Sequence, residues 1–219
     1  MTTRKEFDQG LEQLHNLLVE MGNFVEKALV ESMQALSNTD SELSKLIIER
    51  DLTLNQLEEK VTDLGSKLIA TQQPVAKDLR RILSAFKIAS DLERMGDLCV
   101  NIAKLVIRLD GQPLIKPLID LPRMADIVQM MTYESIQSFI QENVDLAYKM
   151  AADDDQVDAL CAQISRELLS LMMENPRNIT QASILNFVAR HIERIGDHAT
   201  NIGESVVYLV TNSRPELNH

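Results

Sequence analysis

The backbone of this chain has few places to stop. Seven glycines and six prolines are spread over 219 residues, about half the usual share, and turns draw on those residues. Helix-ending clusters fall at Ser37-Asn38-Thr39-Asp40-Ser41, at Gln72-Gln73-Pro74, at Gly111-Gln112-Pro113 with Pro117 and Pro122, at Asp153-Asp154-Asp155, and at Glu174-Asn175-Pro176. The first is a run of cap formers. Pro74 stands near the start of a new helix, and the three acids of the fourth cluster suit a helix N-terminus. In the fifth, Asn175 can cap while Pro176 takes the first helical position. The breaks leave six stretches, about 4–37, 40–72, 75–110, 122–151, 153–174 and 177–211. All are rich in Leu, Ile, Ala, Met, Glu, Gln and Arg, which favour helix. Rods this long are stable only if an apolar face is buried along them. A β-sandwich or barrel, with a turn every ~10 residues, is excluded.

The two halves of the chain repeat. Asp91-Leu-Glu-Arg-Met-Gly-Asp-Leu-Cys-Val-Asn-Ile-Ala-Lys-Leu-Val106 aligns with His191-Ile-Glu-Arg-Ile-Gly-Asp-His-Ala-Thr-Asn-Ile-Gly-Glu-Ser-Val206 at an offset of 100. Glu93, Arg94, Gly96, Asp97, Asn101, Ile102 and Val106 all recur, as does Ala89. Upstream the offset is 103: Glu31-Ser32 falls on Glu134-Ser135, Asp51 on Asp154, Asn55 on Asp158 and Leu57 on Leu160. The expected fold is therefore all-α, two tandem, sequence-related three-helix bundles. The bundles span residues 1–111 and 122–219, joined by a proline-rich linker at 112–121.

What recurs in the third helix is mostly polar or glycine, whereas generic packing would repeat leucines. On a helix, Glu93, Asp97 and Asn101 stack at i, i+4 and i+8, as do Glu193, Asp197 and Asn201. Two carboxylates one turn apart, at ~6 Å and an effective dielectric near 20, repel by roughly 3 kcal/mol. Arginine, a shared proton or a metal cation must offset that. Gly96 and Gly196 cost about 1 kcal/mol each in a helix interior, so something approaches closely there. The preceding helices add Asp51, Asn55 and Glu58, and Asp154 and Asp158. Four or more oxygens without cysteine suit hard cations: iron(III), manganese, magnesium or calcium, and zinc less well. The competing reading is a solvated acidic face paired with Arg94 and Arg194. Duplication of the whole pattern favours metal in more than one site.

These residues carry a family resemblance. Asp91-Leu-Glu-Arg-Met-Gly-Asp97, His191-Ile-Glu-Arg-Ile-Gly-Asp197 and Gln73-Pro74-Val75-Ala76-Lys77-Asp78-Leu79-Arg80 resemble the PhoU family over essentially the whole chain. The resemblance implies cytoplasmic, often dimeric proteins that bind multinuclear iron or another metal, with manganese, zinc and magnesium as alternatives. It implies negative regulation of phosphate uptake and of the phosphate-starvation response. The implied partners are the ATPase of the phosphate ABC transporter and a sensor histidine kinase. By position, Glu93, Asp97, Glu193 and Asp197 would be the core metal ligands, and Asp51, Asp154 and Asp158 their partners. Asn55, which matches Asp158, departs from the acidic pattern, so the first site would carry less charge.

Other classes fit poorly. A net charge of −11 opposes non-specific nucleic-acid binding and broad attraction to anionic lipid. No apolar run approaches the ~20 residues of a membrane span. The start of the chain turns acidic where a signal peptide would be apolar. Cys99 and Cys161 are isolated thiols expected in a reducing compartment as small buried residues. Glu12-Gln13-Leu14-His15 is a single ExxH where di-iron bundles use two, so His15 is expected at a flank. His191 and His198 flank the second ladder without matching histidines in the first. The sequence holds no phosphate-cradling glycine loop, GxSxG or HExxH. The expected role is a binding adaptor; an iron-handling metalloprotein and a purely structural helical scaffold are the alternatives.

Overall fold

The computed structural model describes residues 2–217, with side chains from residue 5 onward. Six helices follow one another: α1 (Thr2–Asn38), α2 (Ser41–Gln72), α3 (Lys77–Ile107), α4 (Asp120–Gln141), α5 (Val144–Glu174) and α6 (Ile179–Thr211). A short 3-10 turn at Pro176–Asn178 leads into α6. At 1.5 Å rise per residue, α1 is about 55 Å long. No strand occurs among the described residues, and no described helix is long and apolar enough to cross a membrane.

The turns use little glycine. Thr39, Gln73, Ala76, Asp110, Glu142 and Asn212 all take positive φ, and Gly111 is the one glycine that does so among the described residues. Polar side chains then restart the helices. Asp40 Oδ1 accepts hydrogen bonds from the Glu42 and Leu43 amides, at 3.0 and 2.9 Å. Asn143 Oδ1 accepts from Leu146 at 3.1 Å, and Asn175 Oδ1 from Arg177 at 3.1 Å. These bonds satisfy first-turn amides that have no partner within their own helix.

One boundary differs from the sequence expectation. The fourth break lies at Glu142-Asn143, not at Asp153-Asp154-Asp155, so α5 begins nine residues earlier and those three acids stand inside it. Glu142 in a left-handed conformation and Asn143 as cap end one helix and start the next. Asp154 among them faces α6, against Gly196.

α1, α2 and α3 pack on one another, as do α4, α5 and α6. α3 also packs on α6, and α1 on α4. A continuous core runs from Phe7 through Leu54, Ile88, Met131 and Val157 to Leu209. α3 and α6 are the inner pair, buried against three helices each. Asp91 lies against His198, and Ser84 shares a cleft with Ser205; α3 and α6 therefore run antiparallel. On each inner helix the side turned from the core meets one outer helix, and the polar repeat lies there.

Candidate metal centre

The glycines are explained by what enters beside them. A Cβ on Gly96 would stand 2.2 Å from Leu54 Cδ2 and 3.7 Å from Asp51 Oδ1. A Cβ on Gly196 would stand 3.0 Å from Asp154 Oδ1. The close approach read from the sequence is thus made by side chains of the preceding helix. In both halves the aspartate of the outer helix lies against the glycine of the inner one. α2 sets Asp51 and Glu58 near Glu93 of α3, with Asp51 also near Asp97. α5 sets Asp154 and Asp158 near Glu193 and Asp197 of α6.

The electrostatics are those of crowded acids. Burial raises the Glu93 carboxyl, and Asp97, Glu58 and Asp51 raise it further against the pull of Arg94. Burial and then Asp97 raise Asp51. Burial raises Glu193 and Asp197, and Asp158 adds to both. Asp154 is pushed furthest, to about 7, first by burial and then by Asp197, Asp158, Asp155 and Glu193. It is 7% exposed, and its Oδ1 has no hydrogen-bond partner. Asn55 Oδ1 is likewise buried without a partner. An acceptor left in this state costs about 1–3 kcal/mol.

Arginine offsets only part of the repulsion, and not symmetrically. Arg94 reaches Asp97 at 3.0 Å and Glu93 at 3.4 Å, but it is exposed, where such pairs contribute little. In the second half the ion pair to Glu193 comes from Arg190, at 2.8 Å, rather than from the expected Arg194. Ser90 holds the matching position in the first half, so the two sites are neutralised differently. Asn186, which matches Phe86, accepts from Ser165 Oγ at 2.7 Å. Thr200, which matches Val100, donates to the Asp197 carbonyl at 2.7 Å.

The donor set fits a hard cation. It is all oxygen, burial and neighbouring acids raise Asp51, Glu93, Asp154, Glu193 and Asp197, and each ladder has a buried oxygen without a partner. The ladders as placed are open: among the described residues, no three His, Cys, Asp or Glu side chains converge tightly enough to enclose an ion.

His198 and His15 are engaged away from the ladders, whereas His191 Nδ1 is buried without a hydrogen-bond partner. His198 Nδ1 lies 3.0 Å from Asp91 Oδ1, joining α6 to α3 across the two halves. His15 sets its ring edge-on to Phe139, centroids 5.3 Å apart, on the flank where α1 meets α4. Both cysteines are buried, and burial pushes the Cys99 thiol up to about 12. The His198–Asp91 pair was not read from the sequence, because His191 and Leu98 stand at the repeat-related positions.

The glycine-flanked ladders occur twice, and the comparisons agree with that doubling. The PhoU domain model matches residues 18–106 and again 121–206. The chain belongs to the PhoU family. It is 38% identical over 217 residues to a protein of Clostridium acetobutylicum named "Phosphate-specific transport system accessory protein PhoU homolog", covering 99% of both chains. A protein of the same name from Aquifex aeolicus is 42% identical, covering 91% of this chain and 90% of the relative. The crystal structure of PhoU from Pseudomonas aeruginosa superposes with a TM-score of 0.90 at 36% identity, covering 94% of this chain and all of the other. The phosphate transport system regulatory protein PhoU from Streptococcus pneumoniae superposes at 0.89 and 30% identity, covering 96% and 99%.

Proposed function

We propose that this protein is an accessory protein of phosphate-specific transport, a metal-dependent regulatory adaptor that restrains phosphate uptake and phosphate-starvation signalling. It acts by binding, not catalysis. Its partners are the ATPase of the phosphate ABC transporter and the sensor histidine kinase, and it works in the cytoplasm as a homodimer. The relatives named above supply the transport context. The observation that carries the metal reading is the doubled set of acids held against glycine, with raised pKa values and partnerless oxygens.

Glu93, Asp97, Asp51 and Asn55 would hold metal in the first half, and Glu193, Asp197, Asp154 and Asp158 in the second. Iron is the first candidate, then manganese, zinc or magnesium. A bound cation supplies the positive charge that the arginines only partly provide. The chain's own contribution is to hold the carboxylates on two rigid rods, so that binding ties α2 to α3 and α5 to α6. The openness of the ladders favours one rival, a helical scaffold whose acids remain solvated. Stability and partner binding indifferent to chelators would support that rival.

The test is deletion in the native host under abundant phosphate. Phosphate uptake should rise, and the wild-type chain should restore it. A chain carrying E93Q, D97N, E193Q and D197N should fold yet fail to restore it. Uptake unaltered by the deletion would contradict the assignment, and full rescue by the variant would contradict the role of metal.

A further inference from the structure

At the far end of the α3–α6 pair from the linker, the chain turns back on itself. Asn212 takes φ 61° and ends α6, and the strap 212–217 folds against the helices. The Leu217 amide donates to Glu204 Oε1 at 3.0 Å, and Leu217 is buried. The strap closes one wall of a cleft of about 330 Å³, lined on the helices by Ser84, Lys87, Glu204, Ser205 and Tyr208 and on the strap by Arg214. That volume lies in the range of small-molecule sites.

The charges in the cleft point to an anion. The chain has 33 acids against 22 lysines and arginines, yet no carboxylate lies within ion-pair distance of Lys87 or Arg214 among the described residues. Glu204 is the acid of the cleft, and it already accepts from the strap. Arg214 stacks on the Tyr208 ring, 5.1 Å from its centroid, which orients the guanidinium without consuming its N–H groups. The hydroxyls of Ser84 and Tyr208 add neutral donors, whereas Ser205 Oγ already donates to the Asn201 carbonyl at 3.0 Å. Two cations and two hydroxyls match a tetrahedral dianion, for which charge-assisted hydrogen bonds are strong.

We infer that this cleft binds a phosphate dianion, free or as the end group of a small monoester, and that the ligand fastens the strap to α3. The site is separate from the carboxylate ladders and needs no metal. Full-length protein stripped of metal by a chelator is dialysed to equilibrium against inorganic phosphate and, separately, against glycerol 3-phosphate. One anion should bind per chain. K87E and R214E should each weaken binding about tenfold or more, the loss expected of one charge-assisted bond, while K87R retains it. Both residues are exposed, so the unfolding midpoint of each variant should match the wild type. Binding of inorganic phosphate supports the free anion as ligand, and binding of the monoester alone supports the esterified form. The inference falls if neither probe saturates at millimolar concentration, or if K87E and R214E bind as the wild type does.

Discussion

At the scale of single residues, the most informative atom is Asp154 Oδ1. It is pressed against Gly196, buried and partnerless, and the carboxyl is raised from 3.8 to about 7, chiefly by burial. In metal-free protein, at pH values between those two, the folded state holds a proton that the unfolded chain has released. Stability therefore falls as pH rises through that window and levels off above it. D154N should flatten the slope, seen as urea midpoints at about pH 5 and about pH 7.5 that differ less than in the wild type. Equal slopes in both would contradict this account of Asp154. The sequence displayed the acids, their spacing and the glycine among them. It did not display which arginine answers Glu193, because Arg190 and Arg194 both lie within a turn and only the rotamers choose. Nor did it display the His198–Asp91 contact: one sequence carries no record of which distant residues meet.

At the scale of elements, four of the five breaks between helices were legible, because cap formers and prolines punctuate them. The α4–α5 boundary was not, because Glu142 has no intrinsic preference for the left-handed conformation it adopts. The repeat held the missing information: the offset of 103 carries Asp40, the cap of α2, onto Asn143, the cap of α5. The same offset carries left-handed Thr39 onto left-handed Glu142. The three acids at 153–155 imitate a helix start in composition, but Asp153 and Asp155 are half-exposed and exposed neighbours of the buried Asp154. If Asn143 is a working cap, N143A should lower stability by about 1 kcal/mol, and D40A by a similar amount. The sites are on different helix junctions, so the losses should add. Chemical denaturation of the two single variants and the double variant measures this; no loss in N143A would remove the cap from the account.

At the scale of the whole molecule, duplication was visible in the sequence, but the joining of the halves was not. α3 and α6 form a shared spine, and α1 packs on α4, so each carboxylate ladder lies between a helix of the spine and its outer neighbour, α2 or α5. The junction is also pinned at its edge. Burial works against the Glu142 charge, but Lys77 at 2.6 Å and Arg81 at 2.7 Å outweigh it and hold the carboxyl below its ordinary range. Under the proposed function, a cation held on either ladder would change the surface that other proteins meet. The direct measurement is elemental analysis of the full-length protein, stripped by chelator, reloaded with iron or manganese, and freed of excess. Metal should be retained in both halves, partly lost in the E93Q/D97N or the E193Q/D197N chain and abolished when both pairs are changed. Absence of retained metal in the wild type, or equal retention in the fourfold variant, would contradict the claim that the doubled ladders exist to hold cations.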